Sequence, residues 1–463
     1  MKQVIVKQID IKQFNALVAH SRYPGAGFNS KELAWFSNEE KTLLGVLGLD
    51  TTDDDYVGTV LGRDEIGRFC LIDFKISMLT EQESKDWINN TIKWHSRDNK
   101  KVFPQVDCKK KALDLFTVVQ PLENLSPVFL HLTRENCFSP AKQIISEIMP
   151  HYVDIDKSFV KEFQSINGFD ARLWELYLNS YITEEALFVI REDINRKKIN
   201  RPDFLVKKYG QSVAIEAVTV GRRKDKLVSI FDKPTELPSP KEREDRLLNE
   251  IPIRFQRALC GKLKKKYWTL EHVKDIPLVF AIADFHDDKS MLWTSTGLIE
   301  YLYGVRHTYR VDKNGDQITE LIPIESHEKF NGEKVPSGFF FLPDAENISA
   351  VLFSTHGTIS KFNRMGRQAG YIPLDTLIVR SGTCYDSSIN KARQFRYLVD
   401  ETCNETWGEG LSMFHNPNAK KTVPKGLFPT IAHHYFKNGE ILSILPDFFP
   451  YESQTLHLCP SKQ

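Results

Sequence analysis

Three acidic residues in the middle of the chain have neighbours suited to binding a cation. Glu216 lies within the apolar run 212–220. Asp203 follows Pro202 at the start of another apolar run, and Glu175 lies in an apolar helical stretch. A lone ionised carboxylate is costly to bury unless it is paired or binds a cation. Three such groups that converge would suit a hard divalent ion bound through oxygen, with Mg²⁺ or Mn²⁺ as the expected cofactor.

The elements that must position these acids can be predicted from the alternation of apolar side chains. Residues 212–220 alternate as a strand does, which puts Glu216 on one of its two faces. Asp203 opens a preceding strand, where a proline just before it is tolerated. The stretch between the two acids is long enough for two antiparallel strands joined by a turn at 207–211. Such a hairpin would set the two carboxylates side by side.

The third acid lies on a predicted helix over residues 170–182. The neighbours of Glu175 are apolar nearly all round, which predicts a helix buried on most sides and a carboxylate pointing into the structure. Taken singly, each acid has an ordinary explanation as an ion-pair partner, and Glu175 could pair with Arg172. The combination of a helical Glu, a Pro-Asp at a strand opening and a Glu on the next strand is more specific.

The order Glu175, Pro202-Asp203 and Glu216 resembles the PD-(D/E)xK superfamily, which includes restriction endonucleases. The resemblance covers about residues 168–285. It implies a mixed central sheet flanked by helices, within an α/β (α+β) chain that carries additional α+β domains on both sides. It also implies that Glu175, Asp203 and Glu216 hold one or two divalent metal ions as catalytic residues. The implied activity is hydrolysis of phosphodiester bonds, most often in DNA.

This chain departs from the superfamily at the lysine expected two residues after the strand acid, where it has Val218. Some members supply the cation from a following helix. A long basic helix is predicted here at ~240–267, and Lys262 on it is the expected catalytic cation. Arg222 and Arg223 are the alternatives. If none reaches the carboxylates, we expect a nuclease-like fold that has lost catalysis and serves as a binding or structural module.

Two basic clusters flank the acidic residues in sequence. Arg222 and Arg223 belong to the first, and Lys264 and Lys265 to the second. Lysine and arginine that neutralise phosphates supply most of the sequence-independent affinity for DNA. The aromatic Tyr267 and Trp268 could stack on bases or sugars. The alternative for the lysines is a solvated helix face.

Two further polar groups have simpler explanations than a metal site. The segment 284–288, Asp-Phe-His-Asp-Asp, is explained by polar loop residues at a strand end. His433 and His434 have no acids at ligand spacing, which favours a structural role. No Walker loop, dinucleotide fingerprint, Gly-x-Ser-x-Gly elbow or HExxH motif occurs, which argues against ATPases, dehydrogenases, serine hydrolases and zinc proteases.

The chain of 463 residues exceeds one compact core, so two or three domains are expected. We predict an N-terminal α+β domain at 1–150, the nuclease core at 151–290 and a C-terminal α+β region of unknown role at 291–463. Seven scattered cysteines without a CxxC pair argue against zinc or disulfide frameworks. No long apolar stretch or signal peptide occurs, so a cytoplasmic protein without membrane contact is expected. The expected partner is nucleic acid, with a homo-oligomer or partner protein left open. The resemblance suggests bacterial defence or mobile-element biology.

Overall fold

The computed structural model describes residues 4–458 except for 23–28, 98–100, 106–112, 153–156, 191–200, 223–235, 288, 312, 314–316, 374 and 390. Helices and mixed sheets occur in nearly equal amounts, which confirms the predicted α+β class. None of the helices within these ranges combines the length and the apolar composition needed to cross a bilayer.

The N-terminal part forms an antiparallel sheet with strand order β1-β2-β3-β4-β5, and a different helix packs on each of its two faces. Its elements are β1 (Val6–Ile9), α1 (Ile11–Val18), β2 (Ser30–Asn38), β3 (Leu43–Asp50), β4 (Tyr56–Arg63), β5 (Phe69–Met78) and α2 (Glu81–Arg97). The Thr80 hydroxyl accepts the Glu83 backbone N–H at 3.1 Å and caps α2, as a Thr-x-x-Glu sequence predicts. Gly58 and Gly62 let Trp87 and Phe103 approach the strand backbone closely.

Four helices connect this sheet to the centre of the chain. They are α3 (Pro127–Arg134), α4 (Ser139–Ile148), α5 (Phe159–Gln164) and α6 (Phe169–Glu184). Buried side chains cover almost the whole circumference of α6, as the sequence predicts. The Trp174 indole N–H donates to the backbone carbonyl of Ala281 at 2.9 Å, which ties α6 to the face of the central sheet.

The central sheet is mixed and, within the described residues, its strands follow the order β19-β18-β17-β14-β9-β8-β7-β6. The strands are β6 (Phe188–Val189), β7 (Phe204–Lys208), β8 (Gln211–Val220), β9 (Leu278–Asp284), β14 (Ala350–Ser354), β17 (Leu411–His415), β18 (Ala432–Lys437) and β19 (Glu440–Ile444). The central strands β8, β9 and β14 run parallel. All seven residues of β9 are buried, as expected for a parallel strand with both faces covered.

The remaining elements lie around this sheet. Helices α7 (Pro240–Leu248), α8 (Glu250–Leu263) and α9 (Ser295–Tyr303) follow the β7–β8 hairpin in sequence, and α10 (Ile359–Gln368) follows β14. Short pairings join β10 (Val305–Val311) with β11 (Gln317–Pro323) and β12 (Ser326–Glu328) with β13 (Lys334–Pro336). A three-stranded sheet has the order β16-β15-β20, with β15 (Leu377–Asp386), β16 (Lys391–Leu398) and β20 (Phe449–Leu458).

The two faces of β8 belong to two different hydrophobic cores. Val213 and Ile215 pack with α3–α6, in what we call the α6-side core. Ala214, Val218 and Val220 pack with α8 and α9, in what we call the α8-side core. Strict alternation along a strand produces this division. Glu216 therefore lies on the α8 side of the sheet, whereas Glu175 lies on a helix of the α6 side.

Two sequence expectations differ from the observed elements. The predicted basic helix at ~240–267 is two helices, since Asn249 leaves helical geometry between α7 and α8, and α8 ends at Leu263. The boundary predicted at 290 runs through the central sheet, because β14 from the C-terminal region pairs with β9 along its full length. Residues after 290 thus contribute to the same sheet as the predicted nuclease core.

Candidate functional site

A tight hairpin brings Asp203 and Glu216 together. The turn residues Tyr209 and Gly210 both have positive φ, 50° and 78°, as a two-residue turn that matches strand twist requires. This turn sets the pairing of β7 with β8, in which Phe204 is opposite Ile215. One step further along the register, Asp203 lies beside Glu216. The Asp203 Oδ2 accepts the backbone N–H of Ala217 at 2.7 Å, which fixes the carboxyl against β8.

The two carboxylate oxygens of Glu216 have different surroundings, and the residue is only 2% exposed. Oε1 pairs with the Lys262 ammonium and accepts the Tyr267 hydroxyl at 2.8 Å. The Lys265 ammonium lies 3.9 Å from the same oxygen. Oε2 is buried and has no hydrogen-bond partner within the described part of the chain. One oxygen is therefore saturated by cations and donors, and the other is available to a ligand.

Helix α8 positions Lys262 by packing its apolar side chains into the α8-side core. Phe255, Leu259 and Leu263 are buried there, beside Val218 of β8. Lys262 precedes Leu263 on the last turn and extends to Glu216. After the helix, Lys266 adopts a left-handed conformation with φ 50°, and the short 3₁₀ helix Tyr267–Thr269 follows. Position 218 thus holds an apolar residue, and the ammonium beside Glu216 comes from α8.

Tyr267, predicted to stack on bases or sugars, is buried in the structure, and its hydroxyl donates to Glu216. Burial and the neighbouring Glu216 raise its pKa, so the hydroxyl stays protonated and donates. An aromatic residue in a basic stretch gives no sequence signal for this role. The contact depends on the turn after α8.

The ionisation of the Asp203 carboxyl is strongly affected by its neighbours. Its side chain is exposed to solvent, whereas protein surrounds the carboxyl on its other sides. Desolvation, followed by the charges of Glu216 and Glu175, raises its pKa well above the usual range, while Lys262 acts in the opposite direction. A divalent cation would remove this penalty because it favours the charged forms of neighbouring carboxylates.

Glu175 is buried and already has its own partners. The Arg172 guanidinium contacts both of its oxygens at 2.9 Å, and the Tyr152 hydroxyl donates to Oε2 at 2.9 Å. Arg172 also pairs with Glu162. Burial raises the pKa of Glu175, and Arg172 and Tyr152 oppose that shift. The pairing with Arg172 that the sequence left open is therefore present.

The three predicted acids are close enough to affect one another's ionisation but do not converge on one point. Among the described residues, the acidic group whose ligand atoms all lie within 4.8 Å of one another is Asp50, Asp53 and Asp55 in the β3–β4 turn. There Asp50 Oδ1 accepts the Thr52 N–H at 2.8 Å, as is common in turns. Asp203 and Glu216 form the closer pair of the predicted triad.

The residues predicted to contact nucleic acid have different surroundings. Arg222 pairs with Asp170 at the start of α6, at 2.7 Å. Arg223 lies outside the described residues. Lys264 and Lys265 follow the end of α8, and both are exposed. The Lys265 ammonium lies 3.1 Å from the Tyr267 hydroxyl. The exposed Lys265 therefore lies next to the buried Glu216.

The other polar groups form local networks. The His286 ring nitrogen Nδ1 lies 2.7 Å from Asp284 Oδ1, and Arg246 lies 3.1 Å from its Nε2. His433 Nδ1 lies 2.9 Å from His415 Nε2, and burial lowers the pKa of both histidines. Both groups fit the structural roles expected from the sequence.

Comparisons of the chain with protein-family models, curated proteins and solved structures found no match. The resemblance to the PD-(D/E)xK superfamily therefore rests on residue order.

Proposed function

We propose that this protein is a metal-dependent nuclease that hydrolyses phosphodiester bonds, with DNA as its expected substrate. The observation that carries the proposal is the contact between Lys262 and Glu216. It places the Lys262 ammonium at Glu216, the acid on strand β8. Residue 218, where the superfamily would have its lysine, is valine. An ammonium within hydrogen-bonding distance of a metal-binding carboxylate is what phosphodiester hydrolysis needs to stabilise developing charge.

The oxygens that remain available fit a hard divalent cation. Glu216 Oε2 is buried without a partner, and Asp203 lies beside it with one oxygen not used by the Ala217 N–H. Carboxylate oxygens suit Mg²⁺ or Mn²⁺. Glu175 is held by Arg172, so it would join only after that pair opens. Such an ion, when bound, supplies Lewis acidity and lowers the pKa of water.

The protein's own groups have distinct tasks in this proposal. Lys262 stabilises negative charge that develops on the phosphate, and its ammonium is held in place by Glu216. Tyr267 is a positioning residue, since its hydroxyl fixes the orientation of the Glu216 carboxylate. Lys264 and Lys265 would contact the phosphate backbone next to the site. The exposed side of Asp203 provides access for the substrate.

A second function, an inactive nuclease-like module that binds nucleic acid, is favoured by one observation. Arg172 saturates Glu175, as expected where a metal ligand has become an ion-pair partner. In that case the exposed lysines would bind nucleic acid without cleavage. The cytoplasmic location and the role in bacterial defence or mobile-element biology are parts of the proposal that rest on composition and resemblance.

Cleavage assays on supercoiled plasmid, linear DNA and RNA with Mg²⁺ or Mn²⁺ test the proposal. We expect cleavage by the unmodified chain and a loss of about 100-fold or more for Glu216→Gln and for Lys262→Met. Glu271→Gln, at an exposed glutamate on the surface, is the matched control. Full activity of Glu216→Gln would contradict the site. If no substrate is cleaved, calorimetric titration with Mn²⁺ decides, since absence of binding supports the inactive module.

A further inference from the structure

A cavity lies beside α6, and its lining residues differ from those of the candidate nuclease site. It has a volume of about 890 Å³ and is bounded by α1, α4, α6, the end of α10 and the segment 404–407. Glu175, Asp203, Glu216 and Lys262 are not among its lining residues. Its size is within the range of small-molecule sites.

Two residues that line this cavity each have a buried polar atom that lacks a partner within the described residues. These atoms are Asn15 Oδ1 on α1, an acceptor, and Asn179 Nδ2 on α6, a donor. A buried polar atom without a hydrogen bond costs about 1–3 kcal/mol. A ligand that offers a donor to one and an acceptor to the other would remove both costs.

A carboxyl group with a raised pKa, that of Glu184, belongs to the lining of the same cavity. Glu184 lines it with an exposed side chain, and its Oε2 accepts the Gly408 backbone N–H at 3.1 Å. Burial of the carboxyl by surrounding protein raises the pKa of Glu184 to about 7. Near neutral pH it can accept hydrogen bonds from a ligand as a carboxylate.

The cations that line the cavity are already engaged. The Lys12 ammonium donates to the carbonyls of Glu401 and Cys403 at 2.8 Å, and Arg22 pairs with Glu32. A free phosphate would find no unpaired positive charge there among the described groups. An anionic ligand is therefore disfavoured, and the groups described above call for a ligand with N–H donors and a carbonyl acceptor.

We propose that this cavity binds a nucleobase with a guanine-like edge, in which N–H groups donate to Glu184 and Asn15 and the carbonyl accepts from Asn179. Guanine combines a carbonyl acceptor with adjacent N–H donors on one planar edge, and proteins read such an edge with carboxylate and amide side chains. A free nucleoside and an unpaired base of a nucleic acid offer the same chemistry. The inference does not depend on the proposed nuclease activity.

Calorimetric titration of the full chain with guanosine, adenosine and cytidine at pH 8 tests this site. We expect guanosine to bind, and to bind at least ten times more weakly to Glu184→Gln and to Asn179→Ala, with Glu271→Gln as the matched control. Thermal unfolding of each variant establishes that it is folded. Lowering the pH to 5.5 should weaken binding to the unmodified chain, because the Glu184 carboxylate is then protonated, and should leave the weaker binding of Glu184→Gln unchanged.

Three results would overturn the inference. They are no guanosine binding at concentrations up to about 1 mM, equal binding by both folded cavity variants, or adenosine binding as tightly as guanosine. A single-stranded oligonucleotide with a terminal guanine separates the two sources. If the oligonucleotide binds more tightly than guanosine, the ligand is a nucleic-acid end. If it binds more weakly, the ligand is the free nucleoside.

Discussion

The two oxygens of the Glu216 carboxylate have different surroundings. Its Oε1 is held by Lys262 and Tyr267, which offsets the cost of burying a charge, while Oε2 is left without a partner. A purely structural ion pair would gain from satisfying both oxygens. The asymmetry is the residue-level reason to expect a ligand at this point.

Replacement of Lys262 by methionine should destabilise the fold. The buried carboxylate would keep only Tyr267 and the more distant Lys265, so we expect a loss of about 2–4 kcal/mol in the free energy of unfolding. Adding Glu216→Leu should recover much of this loss, because it removes the uncompensated charge. Urea unfolding followed by circular dichroism measures both variants. A double variant no more stable than Lys262→Met would contradict this account of the pair.

The raised pKa of Asp203 makes a prediction about pH. In the unfolded chain the carboxyl ionises near its ordinary value, and in the fold it ionises only at higher pH. The native state therefore holds the proton more tightly, and stability falls as the pH rises above the unfolded value. Asp203→Asn should be more stable than the unmodified chain at pH 8 with chelator, and nearly equal to it at pH 3.5.

Chemical unfolding at the two pH values measures this difference, with the exposed Asp275→Asn as a control. Mg²⁺ at pH 8 should stabilise the unmodified chain and leave Asp203→Asn little changed, because the ion favours the ionised carboxyl. At each pH the quantity of interest is the stability of Asp203→Asn minus that of the unmodified chain. If this difference is lower at pH 8 than at pH 3.5, the electrostatic explanation is wrong.

At this scale the sequence predicted the placement of Asp203 beside Glu216 better than it predicted the hydrogen-bond partners of the acids. Burial of Glu216 and its place beside Asp203 follow from strand alternation and a short turn, which are local properties. The Tyr267 hydroxyl and the Tyr152 contact with Glu175 depend on packing between distant elements. No local pattern encodes such contacts.

At the scale of elements, α8 determines where the Lys262 ammonium lies. The sequence predicted one helix over ~240–267, because the apolar spacing continues across the break at Asn249. The observed end at Leu263, followed by left-handed Lys266, turns Tyr267 back to Glu216. A helix that continued to 267 would carry Tyr267 away from the carboxylate.

Two glycines in helices should respond oppositely to substitution by alanine. A Cβ on Gly261 of α8 would meet no atom within 4 Å, so Gly261→Ala should stabilise the protein by about 0.5–1 kcal/mol through helix propensity. A Cβ on Gly366 of α10 would lie 2.2 Å from the Pro140 carbonyl oxygen of α4. Gly366→Ala should therefore destabilise by about 1–3 kcal/mol. Thermal and urea unfolding of the two variants test the prediction, and equal effects would contradict it.

At the scale of the whole molecule, the central sheet joins regions that the sequence analysis separated. Strand β9 is buried on both faces and pairs with β8 on one side and with β14 on the other. Sequence patterns predict strands far better than pairings between distant strands, since a pairing leaves no local signal. The predicted boundary at 290 reflects that difference.

A fragment limited to residues 151–290 should not fold stably. Without β14 it would expose the edge of β9 and the apolar groups that Val351 and Phe353 cover in the α8-side core. We expect a poorly dispersed NMR spectrum and no cooperative thermal transition from the fragment, in contrast to the full chain. A dispersed spectrum with a sharp transition would instead establish this segment as an independent domain.

Lys262 and Glu216 are in contact but lie far apart in the sequence. This has a consequence for the order in which the proposed site assembles. Their contact spans 46 residues, whereas a lysine at 218 would have reached the acid within one strand. The β7–β8 hairpin can therefore form with its acids in place while the cation is still absent. If the proposed chemistry is correct, partly folded chains are inert, and competence to cleave nucleic acid arises only when α8 docks against the sheet.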